Sequence, residues 1–119
     1  MPLDQPPARS DLEARLRREV KGDVLFGAFD RGRYATDASI YQIDPVGVVV
    51  PKDAQDAQIA IQIAADAGVP VLPRGGGTSQ CGQTVGAALV VDNAKHLKKV
   101  ISVDPANATA IVEPGIVLD

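Results

Sequence analysis

Cysteine and histidine each occur once in the 119 residues. Cys81 has no partner for an internal disulfide and no companions for a zinc-type cluster, so it reads as a structural thiol in a reducing compartment, and no metal ligand set is legible. His96 stands alone in a lysine-rich link without an orienting group, so no catalytic base is assigned. No apolar stretch approaches the ~20 residues of a membrane span. The first twenty residues lack the cationic start, apolar run and small-residue cleavage site of a signal peptide, and the expected location is the cytoplasm. A cationic excess is missing as well. Twelve Lys and Arg face fifteen Asp and Glu, for a net charge of -3. Outside the first helix the basic residues are scattered, which argues against a nucleic-acid partner.

What is present suits one soluble globular unit. Hydrophobic residues make up 45% and charged residues 23%, and a chain of this length buries roughly two-thirds of its unfolded surface around one core. A second full domain does not fit.

Residues 1–9 hold three prolines and read as an unstructured lead. Ser10 and Glu13 form an S-x-x-E capping box, which predicts a helix starting there. Leu12, Leu16 and Val20 recur every fourth residue, and Gly22 supplies the stop. Residues 27–44 show no clean period and are expected to connect. Val46-Gly47-Val48-Val49-Val50 is a β-branched run ended by Pro51, the pattern of a buried strand. Asp53 then caps a helix running to about Ala67, with Ala57, Ala60, Ile61 and Ala64 on its apolar stripe, and Gly68 and Pro70 end it. Residues 69–72 make the next strand, giving a right-handed βαβ unit with parallel strands. Residues 88–92 predict a third strand. Residues 100–103 and 109–113 flank Asp104-Pro105-Ala106-Asn107, which predicts a hairpin around a type I turn.

The chemistry is expected in the loop after the second strand, Pro73-Arg74-Gly75-Gly76-Gly77-Thr78-Ser79-Gln80-Cys81-Gly82-Gln83-Thr84. Three successive glycines remove every β-carbon, so the backbone can turn several amides toward one anion such as a pyrophosphate. Thr78, Ser79 and Thr84 add hydroxyls. A Gly-Gly-Gly run is as often a plain flexible turn; the flanking strands, the hydroxyls and the rigid Pro73 entry favour a shaped loop. Arg74 has two readings, facing a phosphate or bracing backbone carbonyls. Gly77 to Thr84 spells G-x-x-x-x-G-Q-T, the Walker A pattern without its lysine and with a strand following instead of a helix. The G-x-G-x-x-G pattern fails at Gln80.

The ordered string of Val46 to Pro51, Pro73 to Ser79, Gly82-Gln83-Thr84, Val90-Val91-Asp92 and Val112-Glu113-Pro114-Gly115 resembles the N-terminal half of the FAD-linked oxidase domain, the fold of vanillyl-alcohol oxidase, p-cresol methylhydroxylase and the D-2-hydroxy acid dehydrogenases. The resemblance covers roughly residues 34–119. Tyr34-Ala35-Thr36-Asp37-Ala38-Ser39-Ile40-Tyr41 is similar to the lead-in of glycolate oxidase, D-lactate and D-2-hydroxyglutarate dehydrogenase subunits.

The resemblance implies an α+β fold, a βαβ unit followed by further strands. Residues 1–33 would be a lead and helix, and residues 34–119 the first, incomplete lobe of the FAD-binding domain. It implies that the amides of Arg74, Gly75, Gly76, Gly77, Thr78 and Ser79 hold the FAD pyrophosphate, that Gly82, Gln83 and Thr84 complete the loop, and that Pro114 and Gly115 lie beside the cofactor. Some relatives bind flavin covalently through a histidine in the glycine loop. This chain has Thr78 in that neighbourhood, so non-covalent FAD is expected.

Relatives continue beyond Asp119, which implies a fragment with an exposed apolar surface and a tendency to self-associate. The substrate-contacting residues would lie in the missing part, as would any iron-sulfur cluster unless a partner protein carries it. The implied activity is flavin-dependent oxidation of a small D-2-hydroxy acid. The alternatives are a sugar or aromatic-alcohol oxidase of the same fold, or a non-catalytic anion-binding module.

Overall fold

A computed structural model of the chain describes residues 7–117. Helix α1 (Pro7–Glu19) precedes strand β1 (Asp23–Leu25), a short helix α2 (Ala28–Arg33), strand β2 (Gly47–Val50) and helix α3 (Ala54–Asp66). Strands β3 (Val71–Arg74), β4 (Leu89–Asp92), β5 (Val100–Asp104) and β6 (Thr109–Val112) complete the order.

The first helix begins three residues before the expected cap. Pro7 suits a first helical position, where its missing N–H has no intrahelical partner to lose, and Ser10 therefore lies inside the helix and cannot cap it. The part of the expected lead that precedes Pro7 lies outside the described residues. The helix also ends before Gly22, at Glu19, with the Val20 amide closing on the Leu16 carbonyl. Leu12, Leu16 and Val20 are buried as their spacing requires. Arg17 pairs with Glu13 and Arg15 with Glu19 one turn apart, and Arg15 also reaches Asp66 on α3 at 3.0 Å.

Four strands form one sheet in the order β1-β2-β4-β3, with β2, β4 and β3 parallel and β1 antiparallel at one edge. The expected βαβ unit has parallel strands as foreseen, and β4 lies between β2 and β3. The residues explain the arrangement. Leu89, Val90 and Val91 are buried on both faces, the pattern of a central parallel strand. Pro73 has no N–H to give a ladder, so β3 belongs at an edge. That strand also starts two residues later than expected. The Val69 amide still closes α3 by bonding the Ala64 carbonyl, and pairing begins with Leu89 donating to the Pro70 carbonyl.

Asp53 caps α3 as its position predicts, its carboxylate accepting from the Asp56 amide at 2.8 Å, and Gly68 follows the helix with φ 69°. The buried stripe of α3 is rotated from the expected one. Ile63 is buried with Ala60 and Ala64, whereas Ile61 is 46% exposed. Asp56 is buried as well, accepting from the amides of Lys21, Gly22 and Lys52. Gly22 thus serves a crossing between the α1–β1 link and α3 instead of a helix stop.

One core lies between the sheet and helices α1 and α3, joining Leu12, Leu16, Ile63, Val49 and Leu89. A second, smaller cluster on the other sheet face joins Val48, Val50 and Val90 with Leu25, Leu72 and Tyr34. The segment expected only to connect, residues 27–44, contains α2 and a single bridge between Thr36 and Gln42. The hairpin forms as expected, with Asp104 paired to Thr109. Its turn is shifted by one residue: the Ala108 amide bonds the Pro105 carbonyl and Ala108 has φ 53°.

Candidate functional site

Ligands of open parallel sheets bind beyond the carboxyl ends of the strands, where the loops converge. Here those ends are Val50, Arg74 and Asp92. The glycine loop leaves the sheet after Arg74 and returns to β4 without an intervening helix. Pro114 and Gly115 come to the same edge. A β-carbon on Gly75 would stand 3.9 Å from the Pro114 carbonyl oxygen. The Gly115 amide donates to the Leu97 carbonyl at 2.6 Å, and a β-carbon there would lie 1.9 Å from the Asn93 carbonyl oxygen. Only glycine lets this backbone pass so close to the turn after β4.

The two halves of the loop differ. Among the described residues, no protein acceptor takes the amides of Gly75, Gly76, Gly77 or Thr78, all half-buried or exposed. The second half is bonded within itself and to a neighbouring segment. The Ser79 hydroxyl donates to Gln83 Oε1 at 2.6 Å and accepts from the Cys81 and Gln83 amides. The Thr84 hydroxyl donates to Asp37 Oδ2 at 2.9 Å, and its amide leans on the same oxygen at 3.4 Å. Of the three hydroxyls singled out in the sequence, Ser79 and Thr84 are therefore committed to protein acceptors, and Thr78 is not.

Arg74 adopts the bracing arrangement. Its Nη1 donates to the carbonyls of Tyr34 (3.3 Å) and Thr84 (3.4 Å), and its guanidinium lies over the Tyr34 ring at 5.2 Å. Gly77 sits directly against this group. Its φ is +70°, and a β-carbon would come within 2.4 Å of Arg74 Nη2. The Gly77 part of this uncommitted run thus lies beside a fixed positive charge. A run of free backbone N–H groups over a cation is a site for an anion, and the donor set fits the pyrophosphate of a dinucleotide.

Three residues that hold this edge together have no assigned role in the sequence reading: Tyr34, Asp37 and Asp92. The Tyr34 phenol donates to Asp92 Oδ2 at 2.6 Å. Burial and that bond push it up to about 12. The Asp37 carboxylate is held down to about 2, chiefly by its bonds to Ser39, with those from Thr84 adding to them. The Asp-x-Ser spacing of Asp37 and Ser39 is a readable sign of a side chain that turns its own backbone, but its reach to Thr84 spans 47 positions. His96 lies in the turn after β4 and makes no hydrogen bond through its ring among the described residues.

An apolar groove of about 540 Å³ lies elsewhere, between α3 and the hairpin, lined by Ala57, Ile61, Val71, Leu97, Ile101 and Val112 among others. Pro73 and Pro114 reach its rim, but no residue from Gly75 to Thr84 lines it. The polar groups at the carboxyl edge gather on the loop and not on this groove.

The chain is also similar to known proteins. The sequence profile described as FAD binding domain matches residues 45–119. D-2-hydroxyglutarate dehydrogenase of Escherichia coli (strain K12) is 35% identical over 98% of this chain, which corresponds to 12% of that protein. Glycolate oxidase subunit GlcD of Bacillus subtilis (strain 168) is 33% identical over 83% of this chain and 22% of its own length. The chain therefore spans a small part of the relatives it matches. The crystal structure of p-cresol methylhydroxylase superposes with a TM-score of 0.70, at 18% identity, over 98% of this chain and 24% of that one. The glycine loop, the parallel strands behind it and the profile match lead to one assignment: the chain belongs to the FAD binding domain family, in the fold of p-cresol methylhydroxylase.

Proposed function

We propose that the chain is the FAD-binding portion of a flavin-dependent dehydrogenase acting on small D-2-hydroxy acids. The observation that carries the FAD site is the run of uncommitted amides from Gly75 to Thr78 beside the Arg74 guanidinium, at the carboxyl edge of the parallel strands. In this reading those amides and the Ser79 turn hold the pyrophosphate, Gly82, Gln83 and Thr84 keep the loop closed, and Pro114 and Gly115 form the adjoining wall. Bound FAD supplies the acceptor for hydride from the substrate carbon at N5, while the protein positions it. The hydroxy acid class is supported by the names of the two relatives above.

Flavin fluorescence titration tests the assignment. Gly77→Ala is expected to weaken FAD binding by about tenfold or more, because the new methyl group demands both a left-handed backbone and the space of the guanidinium. If the wild-type chain and a longer form spanning the length of its relatives both ignore FAD, the assignment fails. Binding of inorganic phosphate by the same samples would then favour a simple anion-binding module.

The proposed attachment is non-covalent. Thr78 occupies the loop, and the chain's histidine, His96, lies beyond β4. Flavin should leave the protein on acid denaturation; a flavin signal that stays with the chain on a denaturing gel refutes this.

A further inference from the structure

We infer that Asp37 and Tyr34 act as a strap that presets the glycine loop before any ligand arrives, with Asp37 the positioning residue at the loop's far end. This rests on reading that loop as the FAD site. The segment containing both residues follows α2 and touches each end of the loop. At the near end the Tyr34 carbonyl accepts from Arg74, the Tyr34 ring lies under the guanidinium, and the phenol is anchored on Asp92. At the far end Asp37 Oδ2 takes the hydroxyl and amide of Thr84, while Oδ1 accepts the Ser39 amide at 2.8 Å. Arg74 Nη1 also reaches the Thr84 carbonyl, so the two residues bounding the loop are tied to each other and to one short segment.

A glycine-rich loop loses more freedom on ordering than any other sequence of its length. A ligand that binds one loop shape is weakened by the fraction of time the loop spends in others. Bonds already made in the free chain move that ordering from the binding step to the folding step. A carboxylate suits the far end because it accepts from several donors at once, and charge strengthens each bond.

The test combines amide hydrogen exchange in the FAD-free chain with FAD titration of the same samples. Asp37→Ala is expected to accelerate exchange at residues 82–84 by about tenfold, to leave α3 and β4 unchanged, and to raise the Kd for FAD by about tenfold. Asp37→Asn keeps an acceptor oxygen and should recover most of both effects, a rescue that a loss of packing would not show. Thr84→Val removes the same bond from the other side and should accelerate exchange at residues 82 and 83, with no further change in the double variant.

Unchanged loop exchange in Asp37→Ala, or full additivity in the double variant, overturns the strap. A loosened loop with unchanged FAD affinity overturns its part in cofactor binding. If neither the wild-type chain nor the longer form takes up FAD, the flavin reading fails, and the exchange comparison still decides the strap.

Discussion

Asp56 is 1% exposed, and its carboxylate accepts from the amides of Lys21, Gly22 and Lys52 at 2.8, 2.9 and 3.1 Å. Removing it leaves three part-buried amides without their acceptor. Asp56→Ala is expected to cost about 3 kcal/mol, measured as a shift in the urea midpoint without a change in slope. At the loop edge the sign of the pH dependence follows from Tyr34 and Asp37. The Tyr34 phenol is raised from 10.0 to about 12 by burial and then by Asp92. Its contribution to stability is whole below pH 10 and is lost as pH climbs through 12. Tyr34→Phe should therefore show a flatter thermal midpoint between pH 10 and 12 than the parent chain. Asp37 runs the other way. Its contribution is present above its ordinary 3.8 and disappears as pH falls through about 2. The glycines of the loop were legible in the sequence because three in a row restrict the chemistry severely. The partners that hold them were not, since Tyr34 meets Asp92 across 58 positions and Asp37 meets Thr84 across 47. Spacing within one loop carries no trace of such pairings.

Among the elements, α3 shows most clearly where pattern reading succeeds and where it slips. Asp53, Gly68 and Pro70 bound the helix by local rules that act within a few residues, and the bounds were readable. The buried face was not fully readable, because in a helix rich in alanine two adjacent stripes carry similar apolar weight. Contact with Leu12 and Leu16 of α1, together with Asp56 turned inward, selects the stripe containing Ile63. The two isoleucines therefore separate the readings. Ile63→Ala is expected to cost about 3 kcal/mol and Ile61→Ala under about 0.5 kcal/mol, from paired denaturation curves. The strand order illustrates a similar limit. Local turns predicted strand, helix and strand, but only the burial of Leu89, Val90 and Val91 on both faces shows that β4 enters the centre.

Taken whole, the molecule packs α1 and α3 on the sheet and leaves the hairpin bare. Ile101, Val103 and Ile111 are each at least 60% exposed, and Ile61 adds to the same flank across the apolar groove. Such a patch favours association. The chain alone is expected to form dimers or larger species at high concentration in sedimentation velocity runs, and Ile101→Glu with Val103→Glu should shift the profile toward monomer; a strictly monomeric parent chain would refute this. The position of β4 has a temporal consequence. Strand β4, one of the sheet's two inner strands, is the last of the four to leave the ribosome, so β2 and β3 have no parallel neighbour until residue 92 has emerged. Because β3 and β4 are joined by the glycine loop itself, the event that zips the sheet also closes the loop. The shaped glycine loop is thus expected to appear in the slow, long-range step of folding and not before it. Until then the open edges of β2 and β3 are the hazard that a nascent chain must survive.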